Sequence, residues 1–301
     1  MQAAAECIPC VLSQALAAAR RVTDDPWLHR KLLFALMEHL PRMNFDRTPA
    51  EVSFDAMGFV AKYLGVADPF KEDKALHTAR MLEAEQDMRR DILAADDPLR
   101  AAIQFALAGN MMDLGVLQAE PIERELARDA RDLCLAIDDY MALRHALAQA
   151  RTLLYLLDNA GEVVCDKLVV ELLEVPEVTC VVRAAPIIND VTREDIEPVG
   201  LGRLAEIVDV GAETLGVPLS HCSAGFRERF AAADVVISKG QANFETLDEA
   251  DRDVFHILRA KCRHVARHLG VPRGAPVLVR TPREAPDHDD RSERPAIATR
   301  K

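Results

Sequence analysis

The sequence predicts an α/β protein with a mostly parallel sheet covered by helices on both faces and preceded by a helical layer. Two observations carry that expectation. From Arg151 onward, short apolar runs rich in β-branched residues alternate with helical patterns, the rhythm of strand–helix–strand units. Before that point, apolar residues recur at helical spacing and helix starts are marked by a capping residue followed by proline.

The first segment puts Ile8, Val11, Leu12, Ala15, Leu16 and Ala19 on one helical face. Asp25-Pro26, Thr48-Pro49, Asp68-Pro69 and Asp97-Pro98 read as later helix starts. An oxygen caps free amides there, and proline at the first position gives up no needed donor. Thr48 with Glu51 has the form of a capping box. Gly109-Asn110 is a turn signal, with Asp113 and Gly115 close behind. Helical pattern returns over 122–133 and 140–150. Strands are expected at Leu153–Leu157, Val178–Val182, Ile207–Val210, Val235–Ser238, Val254–Leu258 and Val277–Val279. Helices are expected at Val163–Leu173, Ala224–Ala232 and Cys262–Leu269. The segment 281–301 is charged and proline-rich, and reads as a flexible tail.

The bulk chemistry narrows the partners. In 301 residues, 50% are hydrophobic and 29% charged, which suits a globular protein with ample core. A net charge of -12 argues against a broad nucleic-acid surface, which needs clustered Lys and Arg. It leaves room for a small phosphorylated substrate, because one cation and one lysine reverse the field locally. No apolar run reaches about twenty residues, so no membrane span is expected. The start MQAAAECIPC lacks the features of an export signal, and seven scattered cysteines read as reduced thiols of a cytoplasmic protein.

Candidate chemistry gathers at the strand exits. The first gives Asp158-Asn159-Ala160-Gly161-Glu162, the second Arg183 and then Asn189-Asp190, and the fourth Lys239-Gly240-Gln241 and Asn243. In a parallel sheet these ends share one edge, so residues distant in sequence converge. Each exit alone is also ordinary turn chemistry, and only their combination favours a site. Asp158, Asn159 and Asp190 offer the hard oxygens that Mg²⁺ or Mn²⁺ prefer. Lys239 adds a cation, and Gly240 lets backbone amides approach an anion. Cation, lysine and exposed backbone donors are what phosphoryl transfer requires. No Gly-x-x-x-x-Gly-Lys-Ser/Thr loop and no early Gly-x-Gly-x-x-Gly follows a strand, which weakens triphosphatase and dinucleotide readings.

AECIPC, AGNMMD, LLDNAGE, PIINDVTRED, SKGQANFETL and LRAKC occur in this order, and together they resemble the damage-control phosphatase family. This family was long filed as domain of unknown function eighty-nine, and the amino-terminal CxxC resembles its prokaryotic branch. The resemblance implies a metal-dependent phosphatase of small phosphate monoesters, with a helical domain beside a Rossmann-like three-layer α/β/α domain. It implies Mg, Mn, Co or Ni as cofactor and sugar phosphates or damaged phosphometabolites as substrates. Carried over by position, Asp158, Asn159 and Asp190 are the implied metal ligands. Lys239, Gly240, Gln241 and Asn243 are the implied phosphate-binding exit, and Asn110 and Asp113 the helical contribution to the pocket. The expected organisation is a helical domain over 1–110, a helical connection over 111–150, the sheet domain over 151–280 and the tail over 281–301.

Several residues admit two readings. Glu162 either caps the next helix or orients a ligand, and Asp195 either helps the second exit or sits as a favoured acid in a first helical turn. Arg183 either meets phosphate or pairs with the edge acids. Cys7 and Cys10 have metal or redox spacing, yet no second pair completes a zinc site, so buried helix-start thiols are expected. His264 and His268 read as a solvated face. Two other functions stay open: an S-adenosylmethionine-dependent carboxyl methyltransferase, and a non-catalytic phosphometabolite-binding module.

Overall fold

The computed structural model describes residues 1–109 and 122–282. Five helices come first: α1 (Cys7–Val22), α2 (Pro26–His39), α3 (Pro49–Leu64), α4 (Lys71–Leu93) and α5 (Pro98–Gly109). The capping chemistry holds for three of the four expected starts. The Asp25 side chain accepts from the Trp27 amide, Thr48 and Glu51 form a reciprocal capping box, and Asp97 accepts from the Arg100 amide. Asp68-Pro69 differs: Asp68 holds the Phe70 amide in a turn, and α4 starts only at Lys71. The buried Lys74 then bridges Asp68 and Asp195 at 3.0 Å each, so the acid's side chain serves an ion pair as well as the turn.

Next come α6 (Ile122–Arg131), β1 (Ile137–Asp138), α7 (Tyr140–Leu147), β2 (Thr152–Leu156), α8 (Val163–Val170) and β3 (Glu177–Val182). The chain closes with α9 (Arg193–Ile196), β4 (Glu206–Asp209), α10 (Ala224–Ala232), β5 (Val235–Lys239), α11 (Gln241–Leu247), β6 (Val254–Arg259), α12 (Arg263–Leu269) and β7 (Pro276–Thr281). The seven strands form one sheet in the order β1-β7-β6-β5-β2-β3-β4. All neighbours are parallel except β6 and β7. Two-residue β1, too short to carry a pattern, has no counterpart among the expected strands.

Alternation along the central strands separates the two faces. Leu153, Tyr155 and Leu157 join Ile237, Phe255 and Ile257 under α4–α8, in one core that includes Met81, Met88, Ile103 and Leu143. Leu154, Leu156, Val181 and Val236 face the other way, against Phe226 and Phe230 of α10. With both faces covered, near-continuous apolar strands are what the layers require. Helices α1–α3 form a separate apolar cluster around Val11, Leu32, Leu36 and Val60, and it reaches the loops after β3 and β4 through Ile187 and Leu215. Among the described residues no helix is long and apolar enough to cross a membrane.

The strand order places β2 beside both β3 and β5, so successive units leave β2 in opposite directions. That is the topological switch point of the sheet, where a crevice opens at the carboxyl ends of the strands.

Candidate active site

The exits of β2 and β3 are zipped together by backbone. The Val191 amide donates to the Asp158 carbonyl at 2.8 Å, the Ala160 amide donates to Asn189 at 3.0 Å, and Asn159 and Asp190 form an isolated antiparallel bridge. This pairing brings Asp158, Asn159 and Asp190 together from segments thirty residues apart. The turn that makes it possible holds Ile188 at φ 47°. A β-branched residue in the left-handed region costs about 1–2 kcal/mol. Ile188 packs against the α1–α3 cluster, which offsets that cost.

A buried arginine fixes the arrangement from beneath. Arg183 donates through Nε to Asp190 Oδ2 at 2.7 Å, through Nη1 to the Gly216 carbonyl at 2.9 Å, and through Nη2 to Asn243 Oδ1 at 2.6 Å. The Asn243 amide in turn donates to the carbonyls of Leu157 and Lys239 at 3.1 and 2.8 Å. Arg183 and Asn243 thus bolt three strand exits to one another. Of the two readings for Arg183, pairing with an edge acid is the one realised. Asn243, expected at phosphate, is fully buried as a brace.

Gly240 follows β5 at φ 79°, and a Cβ there would lie 2.0 Å from Asp158 Oδ2. Its absence lets the carboxylate lie directly against the β5 exit.

Above this floor lies a cavity of about 210 Å³. Asp158, Asn159, Asp190 and Gln241 line it from the sheet side, and Lys261 and Cys262 from the loop after β6. Helices α1 and α3 supply the facing wall, with Cys7, Cys10, Gln14, Ala50 and Ser53. The two thiols are therefore not buried helix-start packing: Cys7 is half-buried and Cys10 exposed. Burial pushes the half-buried Cys7 thiol above the usual cysteine value. His264 also lines the cavity, whereas His268 pairs with Asp248 at 2.9 Å. Lys261, which lies inside the LRAKC motif and is not among the expected site residues, is a lysine that borders the acids. Its position in the turn after β6 was the available signal, since that strand ends on the same edge.

Lys239 stands elsewhere. Its ammonium is fully buried, donating to Glu162 and, at 2.6 Å, to Asp166 Oδ1, which also accepts the Tyr155 hydroxyl at 2.8 Å. Glu162 makes no side-chain cap to α8 and accepts from the Asn159 amide at 2.9 Å. Gly161 leaves room for the His77 ring, whose atoms begin 2.4 Å from where a Cβ would stand. Asp195 forms a capping box with Thr192 at the start of α9. Asn110 and Asp113, like the Met111-Met112 pair and the expected tail beyond Pro282, lie outside the described residues.

The electrostatics of the cavity floor invite a cation. Burial pushes the Asp158 carboxyl up to about 7, with Asp190 and Glu162 adding to the rise and Lys261 and Arg183 opposing it. Burial raises Asp190 too, against the pull of Arg183. The Asn159 amide nitrogen is committed to Asp158 Oδ2 at 2.8 Å and to Glu162, which leaves its carbonyl oxygen as the atom suited to a cation. Two carboxylates and an amide oxygen beside open space fit an ion such as Mg²⁺ or Mn²⁺, which keeps several sites for water and substrate oxygens. Among the described residues no group of three or more His, Cys, Asp or Glu is placed to hold a metal ion, so a cation here would rest on the two carboxylates and the Asn159 oxygen.

The chain belongs to the damage-control phosphatase ARMT1-like domain family, whose match runs over residues 3–277. It is similar to a damage-control phosphatase of Pyrococcus horikoshii, 36% identical over 281 residues that span 91% of this chain and 96% of the relative. It is also similar to a damage-control phosphatase of Archaeoglobus fulgidus, 29% identical over 278 residues, 89% of this chain and 95% of that one. A crystal structure of a DUF89 family protein from P. horikoshii aligns with a TM-score of 0.86 at 33% identity, covering 93% of this chain and 99% of that chain.

Proposed function

We propose that the protein is a divalent-metal-dependent phosphatase of small phosphate monoesters, either sugar phosphates or damaged phosphometabolites. The observation that carries this reading is the convergence of Asp158, Asn159, Asp190 and Lys261 on one cavity at the switch point of the sheet. The names of the two archaeal relatives support the same class of reaction.

The division of labour follows from the geometry. Asp158, Asn159 and Asp190 would hold the cation. A bound Mg²⁺ or Mn²⁺ supplies polarisation of the phosphoryl oxygens and alignment of the attacking oxygen. Arg183 keeps Asp190 in place through a buried 2.7 Å bond, and Glu162 fixes the Asn159 amide, so the ligand oxygens stand pre-set. Lys261, at the cavity wall, offsets charge on the phosphate oxygens. The cavity, of about 210 Å³, is sized for a compact metabolite and not for a polymer.

Phosphate release across sugar and cofactor phosphates, with Mg²⁺, Mn²⁺, Co²⁺ and Ni²⁺ in turn, tests the reading. Removing one preset electrostatic group costs on the order of 10²–10³ in kcat, and Asp158→Ala or Asp190→Ala should lose at least that much while remaining folded. Full activity in either variant would overturn the assignment.

A further inference from the structure

We propose that Glu245 is the group that hands a proton to the leaving oxygen, an inference that rests on the phosphatase reading above. Helix α11 turns Gln241, Ala242 and Glu245 toward the cavity and keeps Phe244 and Leu247 in the core. Glu245 is only 5% exposed, yet it lines the same cavity as Asp158 and Lys261. The space is small enough that an ester with its phosphoryl group at the acids also meets the α11 wall.

The surroundings of Glu245 suit a proton carrier better than a structural ion pair. Its hydrogen-bond partners are neutral: Gln241 Nε2 donates to Oε1 at 2.8 Å, and the Ala50 backbone amide donates from the start of α3. The Met1 amine and Asp248 act on it electrostatically, it acts in turn on the thiols of Cys7 and Cys10, and Glu6, Lys261, Cys262 and His264 share the cavity wall with it. Burial is the main reason its pKa sits up at about 7, with Asp248 adding and Gln241, the Met1 amine and the Ala50 amide opposing. A carboxyl in that range holds a proton at neutral pH and can still release it.

The step balances. As the ester P–O bond breaks, its electron pair stays on the leaving oxygen, which takes the Glu245 proton and departs as the alcohol. The water consumed brings two protons: one remains on the released phosphate, and the other returns Glu245 to its acid form.

The test uses the leaving group. Turnover of an alkyl phosphate and of 4-nitrophenyl phosphate, whose phenolate leaves without a proton, is measured with Mn²⁺ for wild type, Glu245→Gln and Glu245→Asp. General acids contribute about 10²–10⁴-fold, so Glu245→Gln should lower the alkyl-to-aryl rate ratio by about 10²-fold or more, and Glu245→Asp should restore part of it. The ratio does not depend on how much of a preparation is folded. A ratio equal to wild type in Glu245→Gln would overturn the proposal and leave Glu245 as the tie between α11 and α3. A wild-type protein inactive on both esters would overturn the phosphatase reading itself.

Discussion

Two buried acid groups lie on either side of the Asp158–Glu162 turn, and they are built differently. In the inner one, Lys239 sits between Glu162 and Asp166, all three are fully buried, and Tyr155 donates to Asp166. Burial works against the Lys239 charge, yet Asp166 and Glu162 hold its pKa above the ordinary lysine value. In the outer group, Asp158 and Asp190 face a cavity, and the buried cation at hand is Arg183, spent on Asp190. The inner group carries its own counter-ion and serves as foundation. Both groups set two carboxylates against one cation, but Arg183 is spent on Asp190 alone, so the outer group presents the Asp158 oxygens to the cavity, which makes it the place for chemistry. Identical residue types do opposite work because of where the counter-charge lies.

The sharpest way to break this contrast is Lys239→Met. Removing the cation leaves Glu162 and Asp166 buried without it, and breaking a buried pair costs about 3–5 kcal/mol. Chemical denaturation should show a loss of that size. A variant of normal stability with only a raised KM would instead return Lys239 to the phosphate site.

Gly240→Ala probes the seam between the groups. Its Cβ would meet the Asp158 carboxylate at 2.0 Å in a left-handed backbone, so a stability loss of more than about 1 kcal/mol should accompany a fall in turnover. Unchanged kinetics in a well-folded variant would remove Asp158 from the centre of the account.

The smallest effect is in pH. Asp158, raised to about 7, binds a proton in the folded state that the unfolded carboxyl, near pKa 4, has already lost. Between those values the folded state holds more protons, so this group's contribution to metal-free stability falls as pH rises from about 4 to 7. His256 runs the other way. Burial depresses it to about 3, so stability is lost as pH falls below about 6.5, the unfolded value. A cation at the outer group favours ionised Asp158, so the Tm gain from Mn²⁺ should be larger at pH 8 than at pH 5.5. An equal gain at both would place the ion elsewhere.

Much of this fold is legible in the sequence, because the strands β2–β7 are short apolar runs separated by turn residues and the caps at Asp25, Thr48 and Asp97 have a local cause. The convergence at the strand ends is legible too, since Asp158, Asn159 and Asp190 follow apolar runs that share an edge. Side-chain direction is not. Nothing in SKGQANFETL says that Lys239 turns inward to Glu162 while Gln241 and Glu245 face the cavity. That depends on the β2–β5 neighbourhood, which brings Glu162 and Asp166 under β5, and strand order is a long-range property. The same holds for Cys7 and Cys10, whose exposure depends on how α1 docks over the exits.

The most direct test of the contrast is equilibrium binding of Mn²⁺ to chelator-stripped protein, followed by calorimetry. The expected result is one ion per chain, lost in Asp158→Asn and in Asp190→Asn. Binding that persists undiminished in both variants, or none in the wild type, would contradict the account.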